Sequence, residues 1–449
     1  MKTFKKIWFL VLLLLLFLPM LQRWLHWIDE KPLDGAFVET PKPVVTLKTL
    51  YNETAQDSLM TYCTEQSGFR NTMIRLNNQL LYSAFGKISA IGPVKGKNGQ
   101  TFFEESYIIS YTGETYIGED KINATTRQIK LIQEILKTKG ITLLPVFTLG
   151  KASYYPELIP DKYINSKRET NHYQVYLKAF EDQQVEMIDF NRYFCDRKDQ
   201  FEHPLYCDLS AHWTVYAASL AMDSLVRYME SVNHQTQAHA YIESFDTDGL
   251  MNQDDDLYRM MNIFFPLRHN TIENPHFGFT EGYKPKVLTI ADSYWWTVWA
   301  WNVALPENLF NDSGFWFYNK TIYPERNPIQ NVDAINYKQE IENQEFVLLI
   351  CTEATNHLWP YGFIERYLSG YDEIFSWKDP DNYDTADSLY SAYKSAEIEH
   401  IIGRIKNTSE WLDNVTKQAE EKGISLEQAL WNNAEYTYRM DIQPNGFVR

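Results

Sequence analysis

Four short runs of apolar residues constrain the fold of this 449-residue chain more than any other feature of its sequence. The runs are rich in β-branched and aromatic residues, and apolar residues at helical spacing precede the first of them. Continuous apolar strands are expected where helices cover both faces of a parallel sheet. The pattern therefore predicts an α/β fold, with strands in residues 141–149, 185–190, 287–291 and 346–351.

The N-terminus has the composition of an export signal. Lys2, Lys5 and Lys6 precede an uncharged apolar run, residues 7–21. No pair of small residues follows as a cleavage site, so an uncleaved membrane anchor is favoured over a removed signal peptide. The lysines place the N-terminus in the cytoplasm and the rest of the chain outside it, in the periplasm or cell envelope.

The chain divides into four parts by composition. We expect a membrane anchor or signal, a proline-containing linker, one α/β domain and a C-terminal extension of two or three amphipathic helices. The helices of the extension either cap the main domain or dock a partner. These parts span residues 1–28, 29–45, 46–375 and 376–449.

The charge balance and the cysteines narrow the choice of partners. The formal charge is −17 with no basic segment, which argues against nucleic acid and favours a neutral or weakly charged substrate. Four cysteines are too few for a disulfide framework, although Cys195 and Cys207 are close enough in sequence to pair. No standard zinc spacing is present, so we expect neither a metal nor a cofactor.

Polar residues follow the predicted strands where a parallel sheet binds its ligands. Lys151 follows the first strand, Asp292 and Ser293 follow the third, and Glu353 and Asn356 follow the fourth. A serine directly after an apolar strand lies on a strand-to-helix turn, where its hydroxyl is exposed and backbone N–H groups can bind an oxyanion. Ser293 is therefore either a nucleophile or a helix cap.

A nucleophilic serine needs a base, and His212 is the best candidate. It lies in the segment Ser-Ala-His-Trp-Thr, just before a helical stretch; a structural role for this histidine is the alternative. The segment after Ser293 is aromatic, with Tyr294, Trp295, Trp296, Trp299 and Trp301. These rings either pack in the core or form a platform on which sugars stack. If most of them pack in the core, Tyr294 and Trp295 are the ones expected to bind sugar instead, because they are nearest the serine.

Together these motifs resemble those of the alginate O-acetyltransferase family, which are periplasmic SGNH-hydrolase-like proteins. The Ala-His-Trp-Thr block at residues 211–214 precedes a helix, and the Ile-Ala-Asp-Ser block at residues 290–293 follows a strand. Similar blocks occur at residues 67–70, 77–79 and 150–160, and the blocks at residues 352–356 and 362–365 resemble one in uncharacterised anchored relatives. The resemblance covers about residues 60 to 370 and implies an SGNH-hydrolase-like, flavodoxin-like parallel sheet.

The resemblance also implies roles for individual residues. Ser293 would be the nucleophile, His212 the general base and Asp292 the structural aspartate before the nucleophile. One position departs from the family pattern, because Ser210 stands where the family has an aspartate that orients the histidine. Asp208 or Glu353 could supply the missing carboxylate, and Asn356 could be a second oxyanion donor.

Three functions follow from this resemblance. The first is O-acyl transfer, most naturally of acetyl, to a polysaccharide, aided by a membrane-bound O-acyltransferase that passes the acyl group across the membrane. The second is a carbohydrate O-acetyl esterase that uses the same two residues with water as acceptor. The third, suggested by Ser210, is a catalytically impaired protein that binds or assembles a polysaccharide.

Overall fold

A computed structural model describes residues 2–35, 40–51, 55–247, 249–251, 253–300, 303–326, 329–375 and 378–442. Trp301, residues 36–39 of the expected linker and the last seven residues lie outside this described part. The chain forms two compact units. The first unit contains residues 1–104, 207–211 and 253–270, and the second contains residues 105–206, 212–252 and 271–449.

The helices and strands have the following bounds. The strands are β1 Pro93–Lys95, β2 Thr101–Phe103, β3 Thr142–Phe147, β4 Ile188–Asp189, β5 Ala240–Asp246, β6 Asn274–Phe279, β7 Lys286–Ala291, β8 Asn311–Phe317, β9 Thr321–Arg326, β10 Ile329–Asn331 and β11 Phe346–Cys351. The helices up to residue 200 are α1 Lys2–Leu25, α2 Leu47–Tyr51, α3 Gln56–Glu65, α4 Arg70–Phe85, α5 Ile109–Tyr111, α6 Glu119–Lys137, α7 Lys151–Tyr154, α8 Asp161–Ile164, α9 His172–Asp182 and α10 Phe190–Asp196. The later helices are α11 Val215–Asn233, α12 Asp256–Met261, α13 Trp296–Trp299, α14 Leu305–Leu309, α15 Tyr337–Glu342, α16 Phe363–Phe375, α17 Thr385–Asn407, α18 Ser409–Lys422 and α19 Leu426–Ile442.

The first unit contains the apolar N-terminal helix. Within the described residues, the stretch Phe4–Leu25 of α1 is the one helical segment long and apolar enough to cross a membrane. The end of α1 is packed closely against the turn before α4. A Cβ atom on Gly68 would lie 2.3 Å from the carbonyl oxygen of Pro19, so only glycine allows this approach.

Part of the expected linker is bound along α4 in the first unit. The N–H and the hydroxyl of Thr72 donate to the Glu30 carboxylate, at 2.9 and 2.6 Å. The Arg75 guanidinium donates to the carbonyl oxygens of Lys31 and Pro32, at 2.7 and 2.5 Å. These contacts fix residues 30–32 against α4, and the role of residues 29–45 as a linker stays a prediction.

The second unit is built on a seven-stranded sheet in the order β10-β9-β8-β7-β11-β3-β4. The strands β8, β7, β11, β3 and β4 are parallel, whereas β9 runs antiparallel to β8 and β10 runs antiparallel to β9. All four predicted strands lie next to one another in the parallel part, and the predicted α/β class is confirmed. The sheet differs from the prediction in being mixed, because β9 turns back beside β8 and β10 pairs with it.

The parallel part of the sheet is buried because its strands are apolar on both faces. All six residues of β11 are buried, and so are five of the six in β3 and in β7. The amphipathic α6 packs on β3 with Ile129, Ile132 and Ile135, which recur at helical spacing and have no exposed surface. This packing leaves the carboxyl ends of the parallel strands as the edge where polar residues gather.

The C-terminal extension consists of three helices, α17, α18 and α19. They share a small apolar core of their own that includes Ile401, Ile405, Val415 and Leu430. The helix α17 begins with a capping box formed by Asp384 and Asp387. The prediction of amphipathic helices here is confirmed, and their role as a cap or as a docking site stays a prediction. All four cysteines, including Cys195 and Cys207, are free thiols in this structure.

Candidate active site

The nucleophile candidate lies on a tight turn at the end of β7. The strand ends at Ala291, and residues Ser293–Trp295 form one turn of 3-10 helix before α13. Asp292, and not Ser293, caps this turn, because its Oδ1 accepts a hydrogen bond from Tyr294 N–H at 3.0 Å. The Ser293 hydroxyl is therefore not used as the helix cap, which was the alternative reading of this residue.

The other carboxylate oxygen of Asp292 ties the turn to the end of β11. Its Oδ2 accepts hydrogen bonds from the hydroxyls of Thr352 and Thr355, both at 2.6 Å, and from Tyr361 at 3.3 Å. Asp292 is only 1% exposed, and burial of a carboxylate is costly unless such donors surround it. These hydrogen bonds fix the backbone next to Ser293, and the structural role that the resemblance implies for Asp292 stays a prediction.

The imidazole of His212 reaches Ser293 from the segment before α11. Its Nε2 lies 2.9 Å from Ser293 Oγ, a hydrogen-bonding distance between residues 81 positions apart. Thr214 caps α11 by accepting from Ala217 N–H at 3.2 Å, so the histidine lies two residues before the cap of a well-defined helix. The arrangement is that of a hydroxyl with an adjacent base, the pairing that activates a serine.

A second contact holds the same two segments together. The indole N–H of Trp213 donates to the carbonyl of Tyr294 at 3.3 Å, and the two rings are 5.4 Å apart. The ring of Tyr294 also lies 5.0 Å from that of His212. The sequence analysis did not single out Trp213 for any role. His212 and Trp213 therefore pair with Ser293 and Tyr294, respectively. These two contacts between adjacent residues fix the orientation of the imidazole.

The burial of the aromatic residues corrects the sugar-binding prediction. Tyr294 is 0% exposed and Trp295 is 3% exposed, so neither presents a face on which a sugar could stack. Tyr294 lies instead in a buried tyrosine cluster, with its hydroxyl 3.2 Å from that of Tyr206 and its ring stacked on Tyr107. Helical spacing indicated that one face of this segment is buried but not which residues belong to that face.

Glu353 is engaged at the start of α7. Its carboxylate accepts from the hydroxyl of Ser153 at 2.5 Å and from the N–H of Ser153 at 3.3 Å. Its Oε2 is so close to Gly150 that a Cβ atom there would lie 2.2 Å away. Burial raises the pKa of Glu353 from 4.5 to about 7, in spite of the bonds from Ser153 that lower it. The hydrogen bonds of this carboxylate in the described part of the chain therefore go to α7.

Two further predicted site residues are buried in the second unit. Lys151 is 1% exposed, and its Nζ lies 5.8 Å from the centre of the Tyr206 ring. Asn356 is 2% exposed, and within the described residues its Oδ1 has no hydrogen-bond partner. A buried amide oxygen without a partner is unusual in a folded protein, so Asn356 is a candidate for contact with a ligand or an ordered water.

The residues just before His212 belong to the first unit. The Ser210 hydroxyl donates to the carbonyl of Gln253 at 2.7 Å. The carboxylate of Asp208 accepts from the Gln100 side chain and from the N–H of Asn270. Asp208 is therefore occupied in holding loops of this unit together.

The sequence analysis missed another carboxylate in this unit. Asp256 Oδ1 accepts from the N–H of Ala211 at 2.9 Å and from that of Leu257 at 2.7 Å. Ala211 is the residue directly before His212 in the chain, so this carboxylate fixes the backbone that carries the imidazole. The run of three aspartates at residues 254–256 was the available signal, but nothing in its spacing connects it to His212.

Among known protein families, one family model matches part of the chain. Residues 94–263 match the family model described as an SGNH hydrolase-like domain, acetyltransferase AlgX. This match includes His212 and ends before Ser293. No curated protein matches the chain at a significant level.

Three solved structures are similar to the chain at low sequence identity. The O-acetyltransferase domain of Pseudomonas putida AlgJ is 13% identical, with a TM-score of 0.41 over 67% of this chain and 99% of that one. Pseudomonas aeruginosa AlgX is 13% identical, with a TM-score of 0.39 over 58% and 61%. Bacillus cereus PatB1, solved with a sulfonyl adduct, is 8% identical, with a TM-score of 0.37 over 59% and 97%. The family match confirms the resemblance seen in the sequence: residues 94–263 of the chain are similar to the SGNH hydrolase-like domain of the acetyltransferase AlgX.

Proposed function

We propose that this protein transfers O-acetyl groups to an extracytoplasmic polysaccharide, with Ser293 as the nucleophile and His212 as the general base. The observation that carries the proposal is the distance of 2.9 Å between His212 Nε2 and Ser293 Oγ at the end of a parallel strand. The match of residues 94–263 to an acetyltransferase family model supports the reaction class. Ser293 is partly exposed, so a substrate can reach its hydroxyl.

The first half of the reaction forms an acyl-enzyme. Ser293 Oγ attacks the carbonyl carbon of an acetyl ester while His212 Nε2 takes the hydroxyl proton. The imidazolium then gives this proton to the departing alkoxide, and the acetyl group remains on Ser293. The N–H of Tyr294 is already used by Asp292, so the N–H of Ser293 is the nearest amide for the oxyanion, with Asn356 as the second candidate donor.

The second half passes the acetyl group to a sugar. A sugar hydroxyl attacks the acyl carbonyl, His212 takes the proton of that hydroxyl, and the proton returns to Ser293 Oγ as the acyl bond breaks. The imidazole must keep one orientation through both halves. The Trp213 bond to Tyr294 and the Asp256 bond to Ala211 support this, since each fixes backbone or side chain next to the imidazole.

The proposal also assigns a location. The apolar helix Phe4–Leu25 would anchor the chain in the cytoplasmic membrane, and the rest would lie in the periplasm or cell envelope. Acetyl groups would reach that side of the membrane through a membrane-bound O-acyltransferase. The acceptor would be a polysaccharide of the same compartment.

The test is turnover of an acetyl ester by the full chain in detergent. Release from p-nitrophenyl acetate, with an acetyl group trapped on Ser293 and detected by mass spectrometry, is expected from the unaltered protein. Ser293→Ala and His212→Ala should each reduce the rate by on the order of 10⁴-fold. Ser231→Ala, at an exposed serine near the end of α11, is the matched control and should keep the rate.

The outcomes separate the three functions. Transfer to an added oligosaccharide in preference to water supports the transferase. Hydrolysis that needs both residues but gives no transfer identifies an esterase. No turnover by the unaltered protein, or full turnover by Ser293→Ala, refutes the proposed mechanism and leaves a role in polysaccharide binding or assembly.

A further inference from the structure

The residues after Ser293 present a single exposed stripe. Tyr294, Trp295, Thr297 and Val298 are buried, whereas Ser293, Trp296 and Trp299 are partly exposed. Residues three apart lie on the same side of a helical turn. With a rise of about 1.5 to 2 Å per residue, Trp296 lies roughly 5 Å and Trp299 roughly 10 Å along the axis from Ser293. The nucleophile and the two indoles thus lie on one side of the consecutive helical turns formed by residues 293–299.

The two indoles line a cavity of about 510 Å³. The other described residues of its lining are Glu307 of α14, Ser313 of β8, Pro324 of β9, and Ala300, which follows α13. Ligand sites of small molecules are typically cavities of this size, with mainly apolar walls and a few polar groups. The cavity therefore begins one helical turn from the proposed nucleophile.

Packing from the sheet holds the indoles in place. The ring of Trp296 meets those of Phe315, Phe317 and Tyr323 edge to face, at 5.1, 5.8 and 4.8 Å. The ring of Trp299 lies 5.5 Å from Phe315, which has no exposed surface. The two indoles are therefore fixed before a ligand arrives, and the entropy cost of binding is low.

The chemistry of the walls indicates the kind of ligand. A pyranose ring has an apolar face of C–H groups that packs on an indole, and hydroxyls at its edge that bond to groups such as the Ser313 hydroxyl. The one ionisable group of the described lining is Glu307, an exposed carboxylate. Together with the net charge of −17, it disfavours a uronate, which carries a negative charge on every ring.

We propose that the Trp296–Trp299 cavity is the acceptor subsite and binds one or two rings of an uncharged polysaccharide, with a hydroxyl of the next ring directed at Ser293. The inference rests on the proposed function and adds the substrate class. It differs from a subsite for alginate-like polymers, because Glu307 would repel their carboxylates.

The test measures how the full chain, in detergent, divides acetyl groups between an added oligosaccharide and water. The quantity is the rate of acetyl transfer from p-nitrophenyl acetate to an oligosaccharide, divided by the same protein's rate of hydrolysis. The probes are cellotetraose, mannotetraose and chitotetraose as uncharged acceptors, and a mannuronate tetramer as the charged one. The unaltered protein should transfer to at least one uncharged acceptor at least tenfold better than to the mannuronate.

Matched variants separate stacking from charge. Trp296→Ala and Trp299→Ala should each lower the partition ratio for the uncharged acceptor about tenfold, and Trp296→Phe should lower it less because it keeps an aromatic face. Glu307→Gln should raise the use of mannuronate several-fold. Trp431→Ala removes a partly exposed indole from α19 and should leave the ratio unchanged.

Failure of the inference is distinct from failure of the proposed function. If the unaltered protein does not cleave the acetyl ester, the proposed function itself fails. If it cleaves the ester but prefers the mannuronate, uses none of the uncharged acceptors, or keeps its ratio in Trp296→Ala and Trp299→Ala, the subsite assignment is overturned.

Discussion

Replacing Glu353 with glutamine should change how the stability of the protein depends on pH. In the folded state burial raises the pKa of this carboxyl from 4.5 to about 7, so the folded protein keeps a proton that the unfolded chain has lost. Stability therefore falls as the pH rises from about 4.5 to about 7, and is level above that range. Between about pH 5 and about pH 8 the unaltered protein should lose about 2 to 3 kcal/mol through this one group.

Glutamine removes the titration and keeps the hydrogen bonds. Its amide oxygen can accept from the N–H of Ser153, and its NH₂ group can donate to the Ser153 hydroxyl. The free energy of unfolding of Glu353→Gln, measured relative to that of the unaltered protein, should therefore rise by about 2 to 3 kcal/mol between about pH 5 and about pH 8. Glu410→Gln, at an exposed carboxylate on α18, is the control and should follow the unaltered protein.

The assay is urea denaturation of the full chain in detergent, followed by tryptophan fluorescence at each pH. The free energy of unfolding is extrapolated linearly to zero urea. If the curves of Glu353→Gln and the unaltered protein run parallel from about pH 5 to about pH 8, then burial does not control the proton on Glu353 and the reasoning is refuted.

Three other substitutions test the supports of the site. Trp213→Phe keeps the ring beside Tyr294 but loses a neutral hydrogen bond of about 1 kcal/mol, so kcat for acetyl ester hydrolysis should fall about fivefold with little change in KM. Asp292→Asn removes a buried charged acceptor from several donors, and should lower the free energy of unfolding in urea by about 2 to 4 kcal/mol. Asp256→Ala leaves the N–H of Ala211 without its acceptor and should lower kcat about tenfold, through a looser imidazole rather than through unfolding.

The two aspartate variants each have a matched control. Asp413→Asn alters an exposed aspartate on α18 and should leave the urea midpoint unchanged, so an equal loss there would contradict the role given to Asp292. Asp255→Ala removes a neighbour of Asp256 that pairs with Arg259 on α12. If it lowers kcat as much as Asp256→Ala does, the effect belongs to the loop as a whole.

The parallel part of the sheet could be predicted because the apolar composition of its strands indicates that they are buried. β11 is apolar at every position, and a buried parallel strand has few other sequences available to it. β8 and β9 escaped prediction for the opposite reason. β8 begins with Asn311 and contains Gly314, and β9 contains Pro324, residues that are uncommon within strands. Their pairing depends on the neighbours that the fold supplies.

The site could be predicted only in part, for a related reason. Ser293 and His212 each stand at the border of a strand or helix, where local patterns are informative. The groups that position them come from distant loops: Thr355 reaches Asp292 across 63 positions, and Asp256 reaches Ala211 across 45. Such contacts leave no periodic trace in the sequence. The exposure of Trp296 likewise depends on which side of α13 the sheet covers.

The close approach of Gly68 to Pro19 has a mechanical consequence. A helix that met its unit through a loose chain could spin in a bilayer without moving anything else. Here the backbone of α1 touches the backbone of the turn before α4, and Gln22 beside it is 4% exposed. Rotation or tilt of α1 is therefore transmitted to α3 and α4 through this backbone contact. A side chain larger than that of glycine at residue 68 would push the two segments apart and weaken this coupling.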